Sequence, residues 1–222
     1  KKGCTMLLYV IRHGETSWNK ERKMQGFQGS DLNENGVRLA EVTAEGLKDV
    51  EFDLCITSPL IRARHTAEII MKDRNKPIIE EDRLKELNFG AWEGRSVAPG
   101  KMEVPMDQFR LFRTDPFRYQ PPEGGETFRQ LIRRTGYFFD DLIVTPEYQD
   151  KTILISAHGG AVRAFLNRLY ADPEDFWQGG VPMNCAYSIV EVKDGQARLV
   201  ASDCVCYGEE EFPEYYKNWG KV

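Results

Sequence analysis

MLLYVIRHGETSWN, residues 6–19, opens as an apolar run and stops abruptly on two basic residues. Residues 6–11 are continuously apolar and rich in branched side chains, the pattern of a strand covered on both faces. Arg12 and His13 follow side by side, then Gly14, an acid, hydroxyls and Asn19. Histidine is scarce, three in 222 residues, so one placed where a buried strand ends calls for a reason.

The same grammar recurs downstream. Val37, Ala40, Ala44 and Leu47 fall at helical spacing. FDLCITSP (52–59) reads as a second buried strand stopped by Pro59, and LIRARHTAEIIMKD (60–73) as a helix with Ile61, Ala67, Ile69 and Ile70 inward. PIIEEDRL (77–84) reads as a short third strand. ETFRQLIRRTGYFFDDLI (126–143) is amphipathic, with Phe128, Leu131, Ile132 and Phe139 on its apolar side. KTILISAHGG (151–160) repeats the opening pattern, a strand ending on His158 before two glycines, and AVRAFLNRLY (161–170) reads as a helix. CAYSIVEV (185–192) and ARLVASDCV (197–205) pair as a hairpin across an Asp-Gly turn. Residues 88–125 are irregular apart from a short helix near 106–112; a stretch of that length is often a lid or binding loop.

Strands alternating with helices predict an α/β domain with a mostly parallel sheet and helices on both faces. In such sheets ligands bind beyond the carboxyl ends of the strands. Arg12, His13 and His158 occupy such ends and are expected to converge there. The arginine-bearing SPLIRARHTA leaves the second strand in the same way.

Bulk properties narrow the partners. Hydrophobic residues make up 41% and charged residues 29%, ordinary for a globular chain long enough to bury a core without disulfides or metals. The net charge of −5 argues against general binding to nucleic acid or membrane surfaces, both polyanionic. The five cysteines (Cys4, Cys55, Cys185, Cys204, Cys206) form no Cys-x-x-Cys pair and lie away from histidine, so no metal site is read. Cys204 and Cys206 are expected to share a strand face, a poor geometry for pairing. No apolar stretch is long enough to span a bilayer. A reduced, cytoplasmic setting is the expectation.

The chemistry that fits two histidines with arginines is phosphoryl transfer. Guanidinium forks match phosphoryl oxygens, and a neutral imidazole held through its other nitrogen is a competent nucleophile. A second imidazole, expected to be cationic beside the bound dianion, would stabilise the equatorial oxygens. A carboxylic acid is then required to protonate the leaving alcohol.

RHGETSWN (12–19), SPLIRARHTA (58–67), LKELNFGAWEG (84–94) and AHGG (157–160), in this order, resemble the histidine phosphatase superfamily, also called phosphoglycerate mutase-like. The resemblance covers nearly the whole chain. It implies a single domain over 1–222 with a pocket-forming insertion at about 88–125. It also implies a three-layer α/β/α sandwich, whose mostly parallel six-stranded sheet carries one antiparallel strand. Chemistry through a covalent phosphohistidine, with neither metal nor cofactor, follows from the same family. It assigns His13 as nucleophile, Arg12 and Arg62 as phosphate arginines, His158 as second histidine and Glu86 as general acid, then base. Asn19, Gln25, Gly26 and Gly159 would line the phosphate and the near part of a small phosphorylated metabolite.

Alone, Glu86 reads as a solvated charge in a charge-rich stretch, and His65 and Arg64 as surface residues. Arg22 and Lys23 read as loop charges that could steer anions. Glu126 reads first as a charge favouring a helix amino terminus; the family resemblance implies that its stretch lies near the pocket, with a secondary substrate role. Mutases of this family usually read HGN after the second histidine and RHYG after the acid. This chain reads HGG and LNFG, with Phe89 in place of the tyrosine, so a phosphomonoesterase is expected over a mutase or a catalytically idle phosphate-binding module. Oligomeric state and the substrate are not legible.

Overall fold

A computed structural model describes residues 3–213; most of the acidic, aromatic stretch EEEFPEYYKNWG (209–220) lies outside them, from residue 214 onward. The central strand β1 (Thr5–Arg12) alternates its side chains between two apolar layers. Met6, Leu8 and Val10 face one layer with Ile153, Ile155, Phe138, Phe139 and Phe165. Tyr9 and Ile11 face the other, with Leu39, Phe52, Ala67, Ile70 and Leu154. A strand sandwiched this way needs apolar residues at every position, which is what its sequence supplies.

The sheet order is β3-β2-β4-β1-β5-β6, from β2 (Leu54–Thr57), β3 (Ile78–Glu80), β4 (Thr152–Ala157), β5 (Tyr187–Lys193) and β6 (Gln196–Cys204). The pairs β2–β3, β2–β4 and β1–β4 are parallel, whereas β5 runs antiparallel to both β1 and β6. The mostly parallel sheet with one reversed strand is therefore as the sequence predicts. The hairpin turns through Asp194 (φ 50°) and Gly195 (φ 77°), the two left-handed residues that an Asp-Gly turn requires.

Helices α2 (Glu34–Gly46) and α3 (Ile61–Met71) cover one face; α5 (Phe128–Val144) and α6 (Gly159–Leu166) cover the other. Short helix α1 (Ser17–Glu21) follows β1, and α4 (Met106–Thr114) stands where the sequence suggested a short helix. One inward assignment fails: Ile61, the first residue of α3, is 55% exposed, while Arg62 beside it is 1% exposed. The polar residue is drawn inward by partners described below, overriding hydropathy.

The segment 88–125 is irregular yet packed. Phe89, Phe109, Phe112 and Tyr119 join Phe128, Phe176 and Trp177 in a third apolar cluster beside the carboxyl edge of the sheet. All five cysteines are free thiols. Among the described residues, no helix is long and apolar enough to cross a membrane.

Leu8→Ala, in the fully buried centre of β1, is expected to lower unfolding stability by about 2–5 kcal/mol. Ile61→Ala at an exposed apolar site is expected to change it by less than about 0.5 kcal/mol. Urea unfolding of both variants checks the assignment of core and surface.

Candidate active site

The parallel ladder of β1 and β4 sets Arg12 opposite Ala157, so His13 and His158 leave the sheet side by side. The His13 N–H donates to the Ala157 carbonyl (3.0 Å), carrying the ladder one residue further. The His13 carbonyl in turn accepts from the Cys185 N–H (3.3 Å) and from Asn184 Nδ2 (3.1 Å). With its backbone held from both sides, the His13 ring is fixed at 5.3 Å from that of His158, centroid to centroid, at an interplanar angle of 60°.

His13 Nδ1 lies 2.7 Å from the Gly14 carbonyl, which can only accept, so Nδ1 carries the proton and Nε2 the lone pair. Burial first, then the charges of Arg62 and Arg12, hold this imidazole well below its ordinary pKa despite the opposing Gly14 carbonyl. The unliganded site therefore presents a neutral ring with an available nitrogen. Gly14 is required by a close approach: a Cβ there would stand 2.5 Å from the Gly36 carbonyl.

His158 is fully buried, and its Nε2 lies 2.8 Å from Ser58 Oγ, just beyond the end of β2. The sequence suggested a ring that is cationic beside a bound dianion. The unliganded site holds it neutral, because burial and the Arg62 charge push its pKa well below the usual value. His158 Nδ1 and Arg62 Nε are both buried with no protein partner. Such groups are costly unless a ligand satisfies them, and an anion with several acceptor oxygens would do so.

Arg62 donates through Nη2 to the Gly26 carbonyl (2.6 Å), which explains its inward turn. Burial lowers its pKa to about 10, with Glu86 and Glu93 opposing, so it stays cationic at neutral pH. Arg12 donates through Nη1 to the Pro182 carbonyl (2.6 Å).

Glu86 is no solvated charge; it is 8% exposed. Oε1 accepts the N–H groups of Leu87 (2.8 Å) and Ala161 (3.0 Å), and Oε2 that of Gly160 (2.9 Å). Burial raises its pKa above the usual carboxyl value, outweighing these donors and the nearby Arg62 and Arg12 charges. A Cβ on Gly160 would meet Glu86 Oε1 at 2.6 Å, so the second glycine of AHGG makes room for the acid.

Arg12, His13, Asn19, Gln25, Glu86 and Gly159 line a cleft of about 140 Å³ that opens to solvent. Arg62, His158 and Gly26 are buried and do not line it. Asn19 closes a capping box with Thr16 at the start of α1 (3.1 Å each way). Gln25 Oε1 accepts from Thr16 Oγ1 (3.0 Å). Phe89, Phe109, Phe112, Trp177 and Val181 form an apolar wall, and Arg22, Lys23 and Arg113 add positive charge to it. Phe117 and Tyr119 belong to the aromatic packing beside it.

His65 pairs with Asp31 (2.8 Å), and Arg64 with Glu68 (2.9 Å) and Glu80, at the surface as expected. Several supporting residues were not singled out from sequence. Ser58 and Thr66 sit within SPLIRARHTA; Thr66 Oγ1 accepts the Gly14 N–H (3.0 Å). Glu93 collects the N–H groups of Gly26 (3.0 Å), Phe27 (2.9 Å) and Phe89 (3.0 Å). Asn184 precedes the reversed strand, where nothing local marks it. Among the described residues, no group of three or more His, Cys, Asp or Glu side chains could hold a metal ion.

Residues 8–204 match the family model of the histidine phosphatase superfamily (branch 1). The chain belongs to that superfamily. Among its relatives, the uncharacterized phosphatase PhoE of Bacillus subtilis is 37% identical over 192 residues, 86% of this chain and 90% of that protein. A 2,3-bisphosphoglycerate-dependent phosphoglycerate mutase of Cytophaga hutchinsonii is 32% identical over 173 residues, 76% of this chain and 80% of the mutase. The solved structure of Bacillus stearothermophilus YhfR superposes with a TM-score of 0.80 at 31% identity, covering 90% of this chain and 97% of that one.

Because two buried polar nitrogens lack protein partners, inorganic phosphate is expected to stabilise the fold, by about 2.7 kcal/mol at a hundredfold excess over its dissociation constant. Thermal unfolding with and without phosphate measures the shift, which is expected to vanish in His158→Ala.

Proposed function

We propose that the chain is a phosphomonoester hydrolase working through a covalent phosphohistidine at His13, with Glu86 as general acid and then base. The observation that carries the reading is the pairing of opposite pKa shifts across one cleft. A histidine is held neutral and a carboxyl is pushed towards its protonated form. These are the directions of shift that nucleophilic attack with proton donation needs.

In the first step His13 Nε2 attacks phosphorus, the P–O ester bond breaks, and the departing oxygen takes the proton of Glu86. Arg12, Arg62 and the neutral His158 share the charge of the three equatorial oxygens; the dianion itself favours protonation of His158. In the second step the Glu86 carboxylate removes a proton from water, whose oxygen attacks the phosphohistidine. The P–N bond breaks, inorganic phosphate leaves, and both His13 and Glu86 return to their starting states. No metal takes part in this sequence. The substrate is a small phosphorylated metabolite whose organic part meets the aromatic wall.

A mutase is the second reading. Arg22, Lys23 and Arg113 on the cleft wall are cations of the kind that hold an acidic intermediate in place. The apolar share of that wall, with Phe89 where mutases carry a tyrosine, favours hydrolysis.

Turnover of a phosphomonoester panel, undiminished by chelator, is the expected result; isomerisation of phosphoglycerate primed by a bisphosphate would favour the mutase. Glu86→Gln is expected to lower kcat/KM about 100-fold or more for alkyl phosphates but only a few-fold for p-nitrophenyl phosphate, since phosphoenzyme formation from a good leaving group needs no proton. Rates should rise with pH as His13 loses its proton, well below pH 6.5, and fall as Glu86 loses its own, above the ordinary carboxyl range. Loss of the alkaline limb in Glu86→Gln checks the sign.

A further inference from the structure

Glu86 stands on a segment with no helical or strand hydrogen bonding of its own, between a helical turn ending at Leu84 and the bridge at Phe89. An acid that must donate to one oxygen and later deprotonate one water needs its backbone held to a fraction of an ångström. Local structure does not provide that.

A guanidinium on α5 does. Arg134 Nε and Nη2 grip the Glu126 carboxylate side-on at 2.8 and 2.9 Å. Its Nη1 donates to the carbonyls of Arg83 (2.8 Å) and Lys85 (2.7 Å), and Nη2 donates also to the carbonyl of Glu86 itself (2.7 Å). All five N–H donors of this arginine are thereby used. Glu126 completes the grip from the other side of the acid. Its Oε2 accepts the Asn88 N–H (3.2 Å), while its own N–H donates to the Asn88 carbonyl (2.9 Å). One ion pair thus holds residues 83, 85, 86 and 88, bracketing Glu86. Both side chains are largely buried, at 21% and 14% exposure, where a bidentate pair is both stronger and more rigid than at the surface.

We propose that the Arg134–Glu126 pair is a positioning device for the general acid, fixing the Glu86 backbone while its carboxyl rests on the N–H groups of Gly160 and Ala161. The proposal rests on the reading of Glu86 as proton donor. Neither Arg134 nor Glu126 lines the cleft, and every Arg134 donor is spent within the protein, so the pair acts through the Glu86 backbone, while the Arg134 charge also lowers the proton affinity of His158. A lysine at 134 would keep the charge but lose the planar fork, and so hold fewer of the carbonyls.

The test compares leaving groups in Arg134→Gln, Arg134→Lys and Glu126→Gln. Arg134→Gln is expected to lower kcat/KM, which stops at phosphoenzyme formation, about 30-fold or more on alkyl phosphates and less than about fivefold on p-nitrophenyl phosphate. Arg134→Lys and Glu126→Gln are expected to fall between this variant and the parent, and phosphate affinity to stay within about threefold throughout. In the Glu86→Gln background, Arg134→Gln should add less than about threefold, because two residues acting through one proton are not additive. Equal losses on both leaving groups, or full additivity with Glu86→Gln, would overturn the proposal and reduce the pair to ordinary scaffolding. If Arg134→Gln fails to fold, Arg134→Lys and Glu126→Gln carry the same comparison. Should Glu86→Gln itself show no leaving-group dependence, the acid assignment fails first, an outcome distinct from failure of the clamp.

Discussion

The parallel hydrogen-bond register between β1 and β4 is the constraint on which the rest depends. Because Arg12 stands level with Ala157, the next residue of each strand is a histidine, and the His13 N–H closes on the Ala157 carbonyl. A register slip of one residue would turn every side chain of β1 to the opposite face, exchanging its two apolar layers. The apolar packing that stabilises the sheet therefore also fixes the spacing of the two imidazoles. Stability and site geometry share one cause.

Around that pair the protein buries like charges and neutral rings together. Arg12 and Arg62 are 6% and 1% exposed, and both lower the proton affinity of His13 and His158. A cluster of this kind is strained electrostatically until an anion enters, and an entering dianion reverses the sign of the local field. The free site favours a neutral nucleophile; the occupied one favours a charged His158. Glu86 answers to burial in the opposite sense, and the backbone donors Leu87 and Gly160, with the Arg62 and Arg12 charges, restrain the shift without cancelling it.

Much of this was legible in the chain. The apolar runs ending on RHG and AHGG mark the edge of the sheet where the cleft opens, and the Asp-Gly turn marks the closing hairpin. The assignment of Glu86 came from family resemblance, since its own neighbourhood reads as solvent-facing. Residues that support the site from afar were not legible, because their partners are distant in sequence. Asn184 reaches the His13 carbonyl across 171 positions, and Arg134 reaches the Glu86 carbonyl across 48. Ile61 and Arg62 show the converse error: hydropathy assigns the isoleucine inward, while the Gly26 carbonyl takes the arginine. The charge of His158 depends on desolvation, which spacing along a chain does not encode.

The central claim is that two imidazoles, two guanidinium groups and one carboxyl enclose a phosphoryl group that becomes bonded to His13. Rapid acid-free quenching during turnover of p-nitrophenyl phosphate, followed by peptide mass spectrometry, tests it most directly. The account predicts one acid-labile, base-stable phosphoryl group on the peptide containing His13, formed and discharged at rates matching turnover. Undiminished turnover by His13→Ala, or a phosphoryl group on any other residue, would contradict it.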